Sequence, residues 1–396
     1  MASILIIGLG AASLAAILAI KKYDRSANIS IIDNKGFDLL HYCGLPFAIE
    51  GRIALESLKH NLPKSMIINI IRGNASDIDR RNKKVVLSYT DIILKDSIIS
   101  SSKNSNLSSD LIGKSLKDAI NPSKSFNDKH TIISYDSLLI STGSEPWLPP
   151  ITGLSGSKKL CTVHSLKDTS NLINKVQHSK SAAIIGAGAI GLEVAHALTN
   201  KGLKVDVYEA MEHCFPSALD KDMADIVVKM LPNIKFHMNT RIEDVKELKQ
   251  DIIVCAAGIR PRLDIAKKAG IECKKGIIVN EYMQTNDRSI YAAGDCAEAF
   301  HLITRKPVMM QLATSAYRQG TVAGMNMIGK KVVYDGSLMT FVSVIGNIEV
   351  ASCGLKSGVL NSKVTASVKP EWFNNDSKLT IKIIADENGK IIGGQA

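Results

Sequence analysis

A chain of 396 residues, 45% hydrophobic and 22% charged, has room for two or three domains around substantial cores. Its net charge of +11 is spread along the sequence and aromatics are only 5%, which argues against a nucleic-acid surface with its basic face and interleaved aromatics. The seven cysteines (Cys43, Cys161, Cys214, Cys255, Cys273, Cys296 and Cys353) include no C-x-x-C, so neither a disulfide framework nor a zinc site is indicated. A reducing, cytoplasmic compartment fits best.

The uncharged run from Ile4 to Ile20 lacks a basic flank and is short for a membrane span. It reads better as a strand over Ser3 to Ile7, the turn Gly8-Leu9-Gly10-Ala11-Ala12-Ser13, and a small-residue helix to about Tyr23. A second strand, Ile29 to Ile32, ends in Asp33. This is a dinucleotide-binding pattern: glycines for the turn, a helix N-terminus for the pyrophosphate, an acid for the ribose hydroxyls. Ser13 stands where a third glycine is usual.

Next comes Leu39-Leu40-His41-Tyr42-Cys43-Gly44-Leu45-Pro46-Phe47. Gly44 allows a tight turn and Pro46 suits the first turn of a helix. A helix N-terminus would lower the pKa of Cys43 and make it reactive, although a lone cysteine is more commonly a small buried hydrophobe.

Val85-Val86-Leu87 and Ile92-Ile93-Leu94 read as strands, and Ser97 to Lys129 as a polar insertion. Tyr135 to Ile140 is a strand that leads into Ser141-Thr142-Gly143-Ser144, and Pro146, Pro149, Pro150 and Gly153 mark a domain junction. Ser181 to Ile185 then opens a second nucleotide unit with Gly186-Ala187-Gly188-Ala189-Ile190-Gly191, a helix, and a strand from Val205 to Tyr208 ending in Glu209. A carboxylate there accepts from a ribose 2′-hydroxyl and repels a 2′-phosphate, so NADH is favoured over NADPH.

Asp251 to Ala257 is a further strand before Gly258, and Ile290 to Ala293 closes on Gly294-Asp295. That turn permits close approach to a phosphate; the Asp295 carboxylate could bond a polyol or cap the next helix. From Leu338 the pattern alternates, with strands over Phe341 to Ile345 and Leu379 to Ile384. The chain stops at Gly393-Gly394-Gln395-Ala396 with nothing evident to close that sheet.

Two nucleotide units followed by a late Gly-Asp resemble the pyridine nucleotide-disulfide oxidoreductases. The single-cysteine branch matches best: coenzyme A-disulfide reductases, NADH oxidases and peroxidases, and polysulfide reductases. The resemblance rests on Cys43-Gly44-Leu45-Pro46, Ser141-Thr142-Gly143, the Gly186 motif, Val279-Asn280-Glu281, Gly294-Asp295-Cys296-Ala297-Glu298 and Ala313 to Gly320. It implies an α/β fold with two Rossmann-like three-layer domains and an α+β dimerisation domain. The FAD domain would comprise 1–150 and 280–334, the NAD(P)H domain 151–279, and an incomplete dimerisation domain 335–396. By the same resemblance Gly8, Gly10, Asp33, Thr142, Gly143 and Asp295 would hold FAD, while Gly186, Gly188, Gly191, Glu193 and Glu209 would serve NADH. Ala11, Ala12, Ile190, Gly258, Gly294 and Ala313 complete the implied cofactor-binding set. Cys43 would face the isoalloxazine opposite the nicotinamide, so that electrons pass from NADH through the flavin to sulfur.

Departures from the family pattern select among activities. Ala11 replaces the histidine of the peroxidases and oxidases, which favours a disulfide or polysulfide acceptor, coenzyme A disulfide first. Lys21 and Lys22 match a basic pair near the coenzyme's phosphates, or are simply a solvated helix end. Leu39-Leu40 and Tyr42 differ from the reductases, and Ala189 replaces a gate tyrosine, which suits direct reaction of the flavin with oxygen. The alternatives are therefore an NADH oxidase, and a reductase of a ferredoxin- or rubredoxin-type carrier with Cys43 idle. A homodimer is implied; no nucleic-acid or membrane partner is.

Overall fold

The computed structural model describes residues 3–88, 130–358, 362–368 and 379–396. The strand expected at Ile92-Ile93-Leu94 and the polar insertion lie outside the described residues. β1 (Ser3–Ile7) is almost wholly buried, as a strand covered on both faces must be. α1 (Ala11–Tyr23) follows, and β2 (Asn28–Asp33) returns parallel to β1 with Ile4 beside Ile29. The next elements are α2 (Leu45–Glu50), β3 (Asn69–Arg72) and β4 (Ser137–Ile140). An antiparallel ladder of Asn74–Asp79, Lys84–Ser88 and His130–Ser134 lies between the last two.

The second unit repeats the plan with β5 (Ser181–Ile185), α3 (Ala189–Asn200), β6 (Lys204–Tyr208), β7 (Ile234–His237) and β8 (Ile252–Cys255). Its parallel sheet runs Leu160–Cys161, β8, β5, β6, β7. The chain then goes back: β9 (Ile290–Ala292) joins the first sheet, whose order is β9-β4-β1-β2-β3, all parallel. The second nucleotide unit is thus inserted within the first.

α4 (Ala313–Met327) packs on α1 at close range. A Cβ at Gly320 would fall on the Ala12 carbonyl oxygen, and one at Gly324 would meet Ala16. Backbone cannot give way as a flexible side chain can. Gly320→Ala should therefore destabilise the protein by about 1–3 kcal/mol or more, measured as a lower midpoint in denaturant with unchanged slope.

The last module is an antiparallel sheet of β10 (Phe341–Ile345), β11 (Ile348–Gly354), β12 (Ser362–Val368), β13 (Leu379–Ala385) and β14 (Ile391–Gln395), ordered β10-β11-β14-β13-β12. This corrects the reading of the chain's last residues. The Gly393-Gly394 stretch is the central strand, bonded to β11 on one side and β13 on the other. Glycine hides the strand from a propensity reading. Packing demands it, because a Cβ at Gly393 would fall on the Leu355 carbonyl oxygen.

The module docks on the second unit through Lys382 of β13, whose side chain is fully buried. Its ammonium lies 2.7 Å from Asp220 and 2.6 Å from Asp222. Asp220 is the N-cap residue of the helix Lys221–Lys229 but makes no capping bond with its side chain. The carboxylate is instead engaged by Lys382 and by the Ser357 hydroxyl at 2.7 Å.

Candidate functional site

In an open parallel sheet, ligands bind beyond the strand carboxyl ends where the strand order reverses. Both units place a glycine there. Gly8 and Gly186 have φ of +92° and +105°, and a Cβ at either would fall on a neighbouring carbonyl oxygen, Ser141 or Ala256. Beside them Gly10 and Gly188 are the N-cap residues of α1 and α3, with no atom within 4 Å of a Cβ built on them. Tight turns thus leave open space at two helix N-termini, which suits phosphate oxygens.

The third position differs between units for a visible reason. A Cβ at Gly191 would fall on the Gly186 carbonyl oxygen. Ser13 is tolerated because its hydroxyl lies 2.6 Å from the Gly8 carbonyl and 2.7 Å from the Ser141 hydroxyl. The acids behave alike: Asp33 accepts from the Leu9 N–H at 2.8 Å and Glu209 from the Ala187 N–H at 2.7 Å. Each braces its own glycine loop. Asp33 carries cations that the sequence reading missed, Lys35 at 2.6 Å and Arg72 at 3.6 Å.

At the end of β9, Gly294 donates its N–H to Gln319 at 2.8 Å, and a Cβ built on it would lie 3.1 Å from the Ala12 Cβ. Asp295 accepts from the Ser144 hydroxyl at 2.7 Å, while burial pushes its carboxyl pKa up. A half-buried acid with a single side-chain donor is suited to a further hydroxyl, as on a polyol. Thr142 and Gly143 adjoin it on the loop after β4, and the space beyond Gly143 is open. Thr142 itself donates to the Arg262 carbonyl at 2.8 Å.

The same corner holds two groups that sequence reasoning did not single out, His164 and Arg262, beside Tyr42, which it noted only as a departure from the reductases. His164 places Nε2 at 3.1 Å from the Ser144 carbonyl, and burial lowers its pKa. Arg262 adds positive charge beside it, and Tyr42 packs its ring 5.6 Å from the imidazole. Their shared site gave no signal because His164, Arg262 and Tyr42 come from three separate stretches of chain.

Other expected positions are distributed plainly. Gly258 has φ of +128°, Ile190 is exposed on the first turn of α3, and Ala313 begins α4. Ala11 is exposed at the start of α1 and Ala12 is buried behind it. Lys21 and Lys22 lie at the opposite end of α1 from the glycine loop, roughly 15 Å along the axis. Lys21 donates to the Arg25 and Ala27 carbonyls, which is a helix-end role.

Cys43 is exposed in a turn, Tyr42–Gly44, that runs straight into α2. Its acidity differs from the expectation. Loss of hydration on its inner side, then the Glu193 carboxylate, raise the thiol pKa. α2 is only six residues long, so its dipole is a weak counterweight. Glu193, on α3, accepts from the Ser343 hydroxyl of β10 at 2.6 Å, and burial raises its own pKa. All seven cysteines are free, and no group of three metal-ligating side chains occurs among the described residues. No helix of the described residues is long and apolar enough to cross a membrane.

Two cradles with open phosphate positions and a half-buried acid suited to a polyol fit FAD and a nicotinamide dinucleotide. Comparison with known proteins agrees. Residues 2–320 match the pyridine nucleotide-disulphide oxidoreductase family. An NADH oxidase of Methanocaldococcus jannaschii is 33% identical across 99% of this chain and 86% of its own length. A CoA-dependent NAD(P)H sulfur oxidoreductase of Pyrococcus furiosus is 28% identical across 99% of this chain and 87% of its own length. A solved NAD-dependent persulfide reductase from A. fulgidus superposes with a TM-score of 0.84 at 27% identity, covering 99% of this chain and 73% of that one. The chain belongs to the pyridine nucleotide-disulphide oxidoreductases, with FAD and NAD(P)H as its cofactors.

Proposed function

We propose that this oxidoreductase reduces disulfide or persulfide sulfur, with coenzyme A disulfide or a related polysulfide as acceptor and Cys43 as its redox thiol. The observation that carries the reading is an exposed cysteine on a turn whose neighbour Tyr42 reaches the Ser144–Asp295 corner. Two of the proteins described above are by name a CoA-dependent sulfur oxidoreductase and a persulfide reductase, which supports it.

In this reading Gly8, Gly10, Ala11 and Ala12 take the FAD pyrophosphate at the start of α1. Asp33 takes the adenosine ribose, and Thr142, Gly143, Gly294, Asp295 and Ala313 flank the rest. Gly186, Gly188, Ile190, Gly191 and Gly258 frame NADH, and the braced Glu209 disfavours NADPH. When bound, FAD relays an electron pair from NADH towards sulfur. Cys43 attacks as thiolate: the acceptor S–S bond breaks, a Cys43 mixed disulfide forms, and one thiolate leaves. Two electrons originating in NADH then cleave the mixed disulfide, releasing the second thiolate and restoring the Cys43 thiolate. Seven free cysteines suit a reducing cytoplasm, and the family resemblance supports a homodimer.

Anaerobic NADH titration of the purified FAD-loaded protein tests this. The flavin band should bleach, and coenzyme A disulfide or polysulfide should restore it. Restoration by oxygen alone would sink the proposal in favour of a second reading, an NADH oxidase. That alternative is favoured by the short side chain at Ala189 on the first turn of α3.

A further inference from the structure

The two nucleotide cradles are built alike down to the residue two places after the acid. Asp33, at the end of β2, accepts the Lys35 N–H at 2.9 Å, and Glu209, just after β6, accepts the Met211 N–H at 2.9 Å. Each acid also takes the N–H of the residue after its first glycine, Leu9 or Ala187. Lys35 and Met211 therefore hold equivalent places on equivalent backbone. Their side chains differ in charge, which is what a pyrophosphate feels.

Lys35 folds back over its own loop. Its ammonium donates to the Asp33 carboxylate at 2.6 Å and to the Leu9 carbonyl at 3.0 Å. A carbonyl oxygen lies roughly 2.3 Å from the next amide nitrogen, so the charge stands within about 5 Å of the Gly10 N–H at the start of α1. Arg72 adds a second cation: its Nη1 is 3.6 Å from Asp33, buried and without a hydrogen-bond partner, while its Nη2 pairs with the buried Asp38. Two cations thus answer two carboxylates. In the second cradle Met211 is 58% exposed, and among the described residues Glu209 forms no ion pair. That cradle keeps one uncompensated negative charge.

A dinucleotide brings two negative charges on its pyrophosphate. The helix N-terminus offers both cradles the same partial positive charge, so the unit charge at Lys35 is what separates them. We propose that Lys35 makes the first cradle the one that retains its dinucleotide, FAD, and that Met211 leaves the second a site which the nicotinamide dinucleotide enters and leaves. The inference rests on the assignment of FAD to the first cradle and NADH to the second.

The test is reciprocal and uses the FAD-loaded full chain. Serial dilution of parent and Lys35→Met, with released flavin read by its fluorescence, gives the FAD dissociation constant across KCl concentrations. Lys35→Met should weaken FAD binding by about tenfold or more at low salt, the scale of one unit charge in a partly exposed site. The gap should narrow as KCl rises, because salt screens charge and leaves packing alone. Lys35→Arg keeps the charge and should stay close to the parent. Met211→Lys transplants the charge at an exposed position, so NAD⁺ binding, measured by titration calorimetry, should tighten several-fold at low salt and lose that gain at high salt. A Lys35→Met loss that is constant in salt would be that of a missing loop brace and would overturn the proposal. An unaltered NAD⁺ affinity in Met211→Lys overturns it too, and decides the matter alone if Lys35→Met does not fold. If Lys35→Met instead weakens NAD⁺ and Met211→Lys tightens FAD, the assignment of the two cradles is what fails.

Discussion

Cys43→Ser is expected to lower NADH-driven reduction of coenzyme A disulfide by about 10³-fold or more, the scale on which removal of a covalent nucleophile is felt. Serine is close in size, and the site is an exposed turn, so folding and FAD content should not change. NADH should still bleach the flavin, because Gly186, Gly188 and Glu209 lie on a different unit from Cys43. Loss would therefore fall on the acceptor half-reaction alone. Stopped-flow measurement of the two halves separates them. If both halves survive, the disulfide is reduced without Cys43, and Cys43 is not the redox thiol.

Lys382→Met should be the most damaging change outside the nucleotide sites. Removing one partner of a buried ion pair leaves the other charge uncompensated and costs about 3–5 kcal/mol. Asp220, itself buried, would lose most, since it has given up helix capping for Lys382 and Ser357. Burial works against the charge on both residues, but their mutual bonds win: the Lys382 pKa is raised from 10.5 and that of Asp220 lowered from 3.8. The stabilisation is thus complete between those two values. It is lost in acid as Asp220 titrates at its lower folded pKa, and in alkali as Lys382 titrates at its higher one. Denaturation of parent and variant across pH should show the widest gap near neutrality and convergence only in acid, once Asp220 is protonated below its ordinary range.

A milder contrast comes from the third fingerprint position. Gly191→Ala sets a Cβ against the Gly186 carbonyl and should cost both stability and NADH affinity. Ser13→Ala removes only a hydroxyl bonded to Gly8 and Ser141, for about 1 kcal/mol. Unfolding midpoints of the two variants, compared directly, check the ranking.

The sequence by itself determined the two nucleotide units. Glycines, small helix residues and a terminal acid are local requirements of a β-turn-α unit, so they stand close together in the chain and can be read without a partner. The same holds for β10 and β13, where alternation is a property of each strand alone. Tertiary structure decided the rest, because the deciding contacts join residues far apart. Gly393-Gly394 became a central strand only because β11 and β13 flank it and Leu355 leaves no room for a side chain. His164, Ser144 and Arg262 gathered around Asp295 from separate loops. Cys43 was legible as a thiol in a turn, but its acidity was not. A helix dipole predicts a low pKa; burial first, and then Glu193, brought in on α3 from the other nucleotide unit, raise it. Charge acts through space, and a sequence does not record which carboxylate lies across the cleft.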